Sequence, residues 1–175
     1  VEPLNENWEL GLKGNFQKQN AAVALKVAQL LIEKGWGINQ DAIREGLATT
    51  KWPGRLEIID FENKKILVDS AHNSSAAKVL SYERENWLHQ EKGVYWIIGV
   101  QKQKDIISII KNLIKSIDKI LLVPVPNQES WSLNDISKVT NRKLDNFIEF
   151  SNFKKAFNYL KKLEEWPRCM PVLTG

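Results

Sequence analysis

The sequence predicts an α/β protein with a Rossmann-like, mostly parallel sheet flanked by helices. Short segments rich in apolar residues recur at strand length along the second part of the chain, at 56–61, 65–69, 94–100, 119–123, 147–150 and 171–174. Most of them are separated by segments whose apolar residues recur at helical spacing. Parallel strands require long crossover connections, usually helices, so this alternation favours a parallel sheet.

The first part of the chain is predicted to be helical. From Asn20 onward apolar residues follow a helical period, and Gly35 is expected to end this helix in the left-handed conformation. Asn39 is expected to cap a second, short helix at about 40–48.

A domain boundary is predicted after residue 51, because the breaker-rich stretch 49–55 interrupts the helical pattern. Residues 1–51 then belong to one domain and residues 52–175 to another.

The second domain is predicted to begin with a strand pair joined by a polar turn at 62–64. The run 94–100 is almost continuously apolar, which is typical of a strand covered on both faces. Helices are expected at about 74–88, at 106–117, at 132–140 and after a Ser151 cap.

Composition excludes several classes of protein. The 175 residues are 43% apolar and 26% charged, which indicates a folded core rather than disorder. A formal charge of +4 is too mild for a nucleic-acid groove, and no stretch approaches about 20 consecutive apolar residues, so neither nucleic acid nor a membrane is an expected partner. Cys169 is the only cysteine, which suits a reducing cytoplasm and predicts a packed thiol.

Ligands of open parallel sheets collect at the carboxyl ends of the strands, which directs attention to the loops after Asp69, Val100 and Val125. The segment V-D-S-A-H-N at 68–73 delivers an acid and His72 just before a helix. An aspartate there can accept hydrogen bonds from a ribose diol, and a histidine can donate to a phosphate. The alternative is a capping turn, with Asn73 or Ser74 as N-cap and Asp69 binding loop amides.

Two other segments carry candidate binding residues. In W-P-G-R-L-E at 52–57 a turn presents Arg55, whose planar guanidinium suits a phosphate, although Arg55 could simply pair with Glu57. In G-N-F-Q-K-Q-N-A-A at 14–22, Asn20 opens a predicted helix and could bind an adenine edge or act as an ordinary N-cap.

In this order, the three segments resemble the C-terminal signature of folylpolyglutamate synthases and dihydrofolate synthases, members of the Mur ligase superfamily. The closing P-V-L-T-G at 171–175 resembles the start of the last core strand of that family. W-P-G-R followed by D-x-A-H-N is the most specific part, and it favours the folate enzymes over the peptidoglycan ligases.

The resemblance implies the C-terminal end of a P-loop ATPase central domain at 1–51 and a Mur ligase-type C-terminal domain at 52–175. The whole enzyme would use ATP and Mg²⁺ to add L-glutamate to dihydropteroate or folate through an acyl phosphate. Asn20 would contact adenine, Arg55 the phosphates and Asp69 the ribose. His72 is the candidate catalytic residue, near the reacting phosphate or the nucleotide. The family is usually monomeric.

The chain departs from the family pattern at several positions. Phe16 stands where histidine is frequent, Ser70 replaces a frequent glycine and Ser74 a common proline. Ser70 would be strained if its turn needed a positive φ. No G-x-x-x-x-G-K-[ST] segment occurs, so the P-loop and the magnesium ligands are expected outside this chain, in its own central domain, and the chain alone is expected to be inactive.

Two other functions stay open at this point. One is a Mur-type peptidoglycan or cyanophycin amide ligase with the same fold, and the other is a non-catalytic Rossmann-like binding module. A metal site built from His72, His89 and Cys169 is rejected, because these residues lack ligand spacing.

Overall fold

The computed structural model describes residues 2–5, 7–140 and 144–175. The chain divides into two compact units, Val1–Glu57 and Ile58–Gly175. Among the described residues, no helix is both long and apolar enough to cross a membrane.

The described residues of the first unit form two helices, α1 (Phe16–Glu33) and α2 (Gln40–Thr49). Helix α1 is followed by Gly35 with φ +90°, and the Oδ1 atom of Asn39 accepts from the Ala42 amide at 2.7 Å. The predicted end of the first helix and the predicted start of the second are therefore confirmed. The predicted start of the first helix was wrong, because α1 begins four residues before Asn20.

The second unit is a six-stranded sheet with helices between most of its strands. Its elements are β1 (Glu57–Phe61), β2 (Lys64–Val68), α3 (Ser74–Arg84), β3 (Tyr95–Ile98), α4 (Ile106–Leu113), β4 (Lys119–Leu122), α5 (Leu133–Thr140), β5 (Phe147–Glu149), α6 (Phe153–Lys161) and β6 (Val172–Thr174). The strand order is β1-β2-β6-β3-β4-β5.

Five of the six strands run parallel, in the pairs β2–β6, β6–β3, β3–β4 and β4–β5. Strand β1 is joined to β2 by a two-residue turn at Glu62 and Asn63, both with positive φ, which is the geometry of a tight antiparallel hairpin. The predicted mostly parallel α/β sheet is confirmed. The carboxyl ends of the parallel strands lie along one edge of the sheet.

Strands β3 and β4 form the centre of the core, and for β3 the almost continuous apolar run at 94–100 predicted this burial. Trp96, Ile97, Ile120 and Leu121 are completely buried. Helix α6 covers one face through Ala156 and Leu160, which cluster with Ile97 and Leu121. Helices α3 and α4 pack against each other and bury another set of side chains: Ala77, Leu80, Ile106, Ile109 and Leu113.

Three predicted helix ends were wrong. Helix α3 ends at Arg84 rather than 88, and α4 ends at Leu113 rather than 117, because Lys115 and Asp118 close a turn there: the Lys115 amide donates to the Asp118 carboxylate at 2.8 Å. Asn152, not Ser151, caps α6, since its Oδ1 atom accepts from the Lys155 amide at 2.9 Å.

Candidate functional site

The second unit has an open cleft of about 670 Å³ at the carboxyl edge of its sheet. Residues that follow β2, β3, β4, β5 and β6 all contribute to its lining, among them Asp69, Gly99, Pro124, Asn152 and Gly175. The cleft lies where ligands of open parallel sheets bind.

The loop after β2 is fixed by hydrogen bonds on both sides. The Asp69 carboxylate is buried and accepts from the Ala71 amide at 3.0 Å, while the Thr174 hydroxyl of β6 donates to the Ala71 carbonyl at 3.1 Å. His72 follows at once and is exposed, with Nδ1 2.8 Å from the Ser70 carbonyl. In the neutral ring Nδ1 then carries the proton, which leaves Nε2 as the acceptor.

One residue of this loop has the capping role that the sequence left open as an alternative. Asn73 caps α3, since its Oδ1 atom accepts from the Ala76 amide at 2.9 Å. Ser70 is not among the non-glycine residues with positive φ, so the strain considered for it does not arise.

A second cavity, of about 310 Å³, adjoins the first and shares Val125 and Gly175 with it. His72, Lys104 and Gln101 contribute its polar lining. An imidazole, an ammonium group and a carboxamide around one cavity at a sheet edge suit an anionic oxygen such as that of a phosphate.

The segment that carries Gln101 and Lys104 is held in place by the chain after β4. The Lys102 amide donates to the Glu129 carbonyl at 2.8 Å, and the Trp131 indole donates to the Lys104 carbonyl at 2.9 Å. Lys102 also pairs with Asp135, and hydrogen bonds from Lys102 and Ser132 lower the pKa of Asp135 to about 2. Sequence reasoning pointed to the loop after residue 100 but missed Lys104, because a single lysine in a loop carries no spacing signal.

Arg55 lies in the first unit between two residues with left-handed backbone. Gly54 has φ +71° and the buried Leu56 has φ +44°, a conformation that costs a non-glycine residue about 1–2 kcal/mol. The Glu57 carboxylate accepts from the Gly54 amide at 2.8 Å, and among residues 2–5 and 7–57 the partly exposed Arg55 makes no hydrogen bond or ion pair. The strained turn therefore presents a guanidinium that Glu57 does not neutralise.

Asn20 also lies in the first unit, where it is exposed in the second turn of α1. The expectation that Asn20 opens or caps this helix was therefore wrong. Its amide nitrogen donates to Gln17 Oε1 at 2.9 Å. Asn20 and Gln17 line a cavity of about 190 Å³ whose other walls are mostly aliphatic. An amide at the rim of an apolar cavity suits the edge of a flat heterocycle.

A catalytic metal has no ready ligand set here. Among residues 2–5, 7–140 and 144–175, no three His, Cys, Asp or Glu side chains cluster closely enough to hold a metal ion.

The fold and the site together define an α/β protein with adjoining cavities at the carboxyl edge of its sheet, one of them with a lining that suits an anionic ligand. The family model for the dihydrofolate synthetase C-terminal domain matches residues 55–164. The chain belongs to the folylpolyglutamate synthase/dihydrofolate synthase family and corresponds to its C-terminal portion.

Individual relatives agree with this assignment. The folylpolyglutamate synthase of Lacticaseibacillus casei is 32% identical over 119 residues, 67% of this chain and 27% of that protein. The folylpolyglutamate synthase of Mycobacterium tuberculosis, solved with ADP and AMPPCP, aligns with a TM-score of 0.78 at 22% identity, over 95% of this chain and 38% of that one. The UDP-N-acetylmuramoyl-L-alanyl-D-glutamate--L-lysine ligase of Streptococcus mutans is 36% identical over 104 residues, 58% of this chain and 20% of that protein. The chain thus spans well under half the length of these relatives.

Proposed function

We propose that this chain is the nucleotide-closing part of an ATP-dependent ligase that adds L-glutamate to dihydropteroate or to the tail of a folate. The family and the names of its members support the reaction class. The observation that carries the proposal is the pair of adjoining cavities at the sheet edge, where Asp69 lines one and His72 and Lys104 line the other.

The candidate residues of each unit are of types that bind parts of a nucleotide. Asp69 would accept from the ribose hydroxyls, while Arg55 and Lys104 would hold phosphate oxygens by charge-assisted hydrogen bonds. Asn20 would bind the adenine edge from the rim of its apolar cavity. His72 would donate from Nε2, once protonated, to an anionic oxygen.

ATP itself would supply the phosphoryl group that converts the substrate carboxylate into an acyl phosphate, which the amine of glutamate attacks. The residues of this chain would align groups and stabilise charge, which is most of what a protein contributes to phosphoryl transfer. They would also exclude water when the domain closes.

The domain assignment belongs to the same proposal. Residues 1–51 would be the end of the central ATPase domain, and residues 52–175 the C-terminal domain that closes over the nucleotide. The P-loop and the magnesium ligands would come from the rest of the same polypeptide, which we propose is a cytoplasmic monomer.

A Mur-type ligase is the second candidate, because a peptidoglycan ligase of Streptococcus mutans is 36% identical over 104 residues. A substrate screen with folates against muramyl peptides separates the two. The W-P-G-R and D-x-A-H-N segments favour the folate enzyme.

The first test uses the full-length synthase with Arg55→Ala and Asp69→Asn. The asparagine keeps an oxygen for the Ala71 amide, so the loop stays folded while the charge is lost. We expect each variant to lower kcat/KM for ATP by about 10²–10³-fold, the usual loss when a charged or preorganised hydrogen-bonding group is removed from a reacting site.

The matched controls are Lys51→Ala and Asp60→Ala, which remove exposed charges close in sequence to the two sites. Both should keep kcat/KM for ATP within about twofold of the parent enzyme, since isolated surface charges contribute little. Parent-like ATP kinetics in Arg55→Ala and Asp69→Asn, with unchanged melting temperatures, would show that both residues are structural.

A further inference from the structure

The loop after β3 turns sharply just where it reaches the smaller of the two cavities. The Lys104 amide donates to the Gln101 carbonyl at 3.0 Å, which closes a turn, and both side chains line the cavity together with His72. A lysine ammonium sits on a flexible four-carbon stem. It occupies one place in a cavity only if the backbone that carries the stem is held firmly.

The chain after β4 is joined to this loop through the backbone. Gln101 and Ser130 form an antiparallel bridge, and the Trp131 amide donates to the Val100 carbonyl at 3.0 Å. The Ser130 hydroxyl in turn accepts from the Val125 amide at 2.8 Å. The backbone of Trp131 is therefore fixed beside the loop without any contribution from its indole ring.

The indole of Trp131 reaches the residue whose ammonium group lines the cavity. Its Nε1 donates to the Lys104 carbonyl at 2.9 Å. The same carbonyl accepts from the amide of Ile106, the buried first residue of α4, at 3.0 Å. The peptide group of Lys104 is thus bound both by the start of α4 and by a side chain from 27 residues further along the chain.

The Trp131 ring is itself held by a charged pair. Lys102 Nζ lies 4.4 Å from the ring centroid and pairs with the Asp135 carboxylate, which also accepts from the Ser132 hydroxyl at 2.8 Å. A cation over an aromatic face is attracted by the ring. The two lysines of this loop therefore differ in their surroundings: Lys102 packs on the indole, and Lys104 lines the cavity.

We infer that Trp131 is a positioning residue, whose indole fixes the backbone of Lys104 so that the lysine ammonium meets an anionic oxygen of the substrate. This inference rests on the proposed function, in which Lys104 holds a phosphate oxygen. It adds a residue that acts on the reaction without touching the nucleotide. Displacing a reacting or binding group by about 1 Å can slow a reaction by about 10²-fold, so the anchor of such a group matters.

A double-mutant cycle in the synthase extended upstream of Val1 tests the inference. Trp131→Phe keeps an aromatic ring beneath Lys102 and removes the N–H donor. Lys104→Met keeps an unbranched side chain and removes the ammonium group. The kcat/KM for ATP is measured in the parent enzyme, in both single variants and in the double variant. A positioning effect disappears when Lys104 is already gone, whereas a general structural effect does not.

We expect Trp131→Phe alone to lower kcat/KM for ATP by about tenfold, because the ammonium group is no longer held in place. Lys104→Met should lower it by about 10²-fold. The double variant should stay within about twofold of Lys104→Met. An equal loss from Trp131→Phe in both backgrounds would make Trp131 a structural residue and overturn the inference. Parent-like kcat/KM in either single variant would also overturn it.

Trp166→Phe is the matched control, since the Trp166 ring also has a lysine nearby, with Lys64 Nζ 5.4 Å from its centroid, and it lines neither cavity. Its kcat/KM should stay within about twofold of the parent. Melting temperatures show whether each variant is folded. If Trp131→Phe does not fold, Asp135→Asn replaces it in the cycle, because it frees Lys102 and leaves the indole donor. It should then lower kcat/KM by about threefold, and only while Lys104 is present.

The parent extended synthase is assayed for addition of glutamate to a folate alongside. Turnover together with equal losses in both backgrounds refutes the positioning role and leaves the function standing. Absence of turnover refutes the proposed function, and the same cycle in the Kd for ATP then decides the inference. A loss of ATP affinity on Trp131→Phe that requires Lys104 supports it, and any other pattern overturns it.

Discussion

At the scale of single residues, Asp118 connects several elements of the second unit, a role that no sequence motif indicated. Its fully buried carboxylate accepts two hydrogen bonds from the Arg84 guanidinium, at 2.7 and 2.6 Å. It also accepts from the Val94 amide, the Trp96 indole and the Lys115 amide. One side chain therefore joins α3, β3 and the turn before β4, although Arg84 and Asp118 are 34 residues apart.

We expect Asp118→Asn to lower the free energy of unfolding of the second unit by about 3–5 kcal/mol, because it leaves the buried Arg84 charge without its counter-ion. Chemical denaturation followed by tryptophan fluorescence measures the change, since Trp96 lies in the network.

Glu85→Gln is the matched control, because it removes the exposed ion pair of Glu85 with Lys115 next to the same network. Exposed pairs contribute little, so the denaturation midpoint should barely move. A midpoint as low in Glu85→Gln as in Asp118→Asn would assign the effect to surface charge rather than to the buried network.

Sequence reasoning found the site residues that lie in motifs and missed those that depend on the fold. Asp69 and His72 follow a recognisable strand, and the structure places both at the carboxyl edge of the sheet. Lys104 reaches the same region from a different strand, and Arg84 meets Asp118 only through the packing of α3. Contacts of that kind have no local period, so one sequence cannot reveal them.

At the scale of elements, the sequence prediction and the structure disagree about which residue caps α6. Asn152, rather than the predicted Ser151, accepts from the Lys155 amide. We expect Asn152→Ala to lower the free energy of unfolding by about 1 kcal/mol, the usual value of a lost N-cap. Ser151→Ala should stay within about 0.5 kcal/mol of the parent protein.

Thermal and chemical unfolding of the two variants, measured side by side, shows which of the two residues caps α6. A larger loss in Ser151→Ala than in Asn152→Ala would restore the original prediction. Both residues line the same cleft, so nucleotide binding by the full-length enzyme is a separate measurement.

Most strands were predicted to within about two residues, whereas helix ends were less accurate. Strands β3 and β4 are buried on both faces, so their apolar runs mark them clearly. The apolar period of α4 continued to Ile117, but the hydrogen bonds of Asp118 end the helix at Leu113 and leave Ile117 52% exposed. A tertiary contact decided that boundary.

At the scale of the whole molecule, the parallel sheet followed from alternation of strands and helices, but its strand order did not. Strand β6 is last in sequence, yet it pairs with both β2 and β3 at the centre of the sheet. Its short segment, Val172–Thr174, shows no more than three residues of strand character. Its position depends on long-range pairing, which local propensity does not encode.

The proposed role as one part of a ligase leads to the last prediction, that the 175-residue chain folds but releases no ADP in the presence of glutamate and a folate. The physical reason is that phosphoryl transfer needs the phosphates, the metal and the acceptor aligned together, and no P-loop segment occurs in this sequence.

Circular dichroism checks that the chain is folded, and a coupled ADP assay measures turnover. The synthase extended upstream of Val1 is the positive control, and Arg55→Ala in that protein distinguishes enzyme turnover from a contaminating ATPase. Glutamate-dependent and folate-dependent ADP release by the isolated chain would contradict the prediction, because the chain would then carry a complete phosphate site of its own.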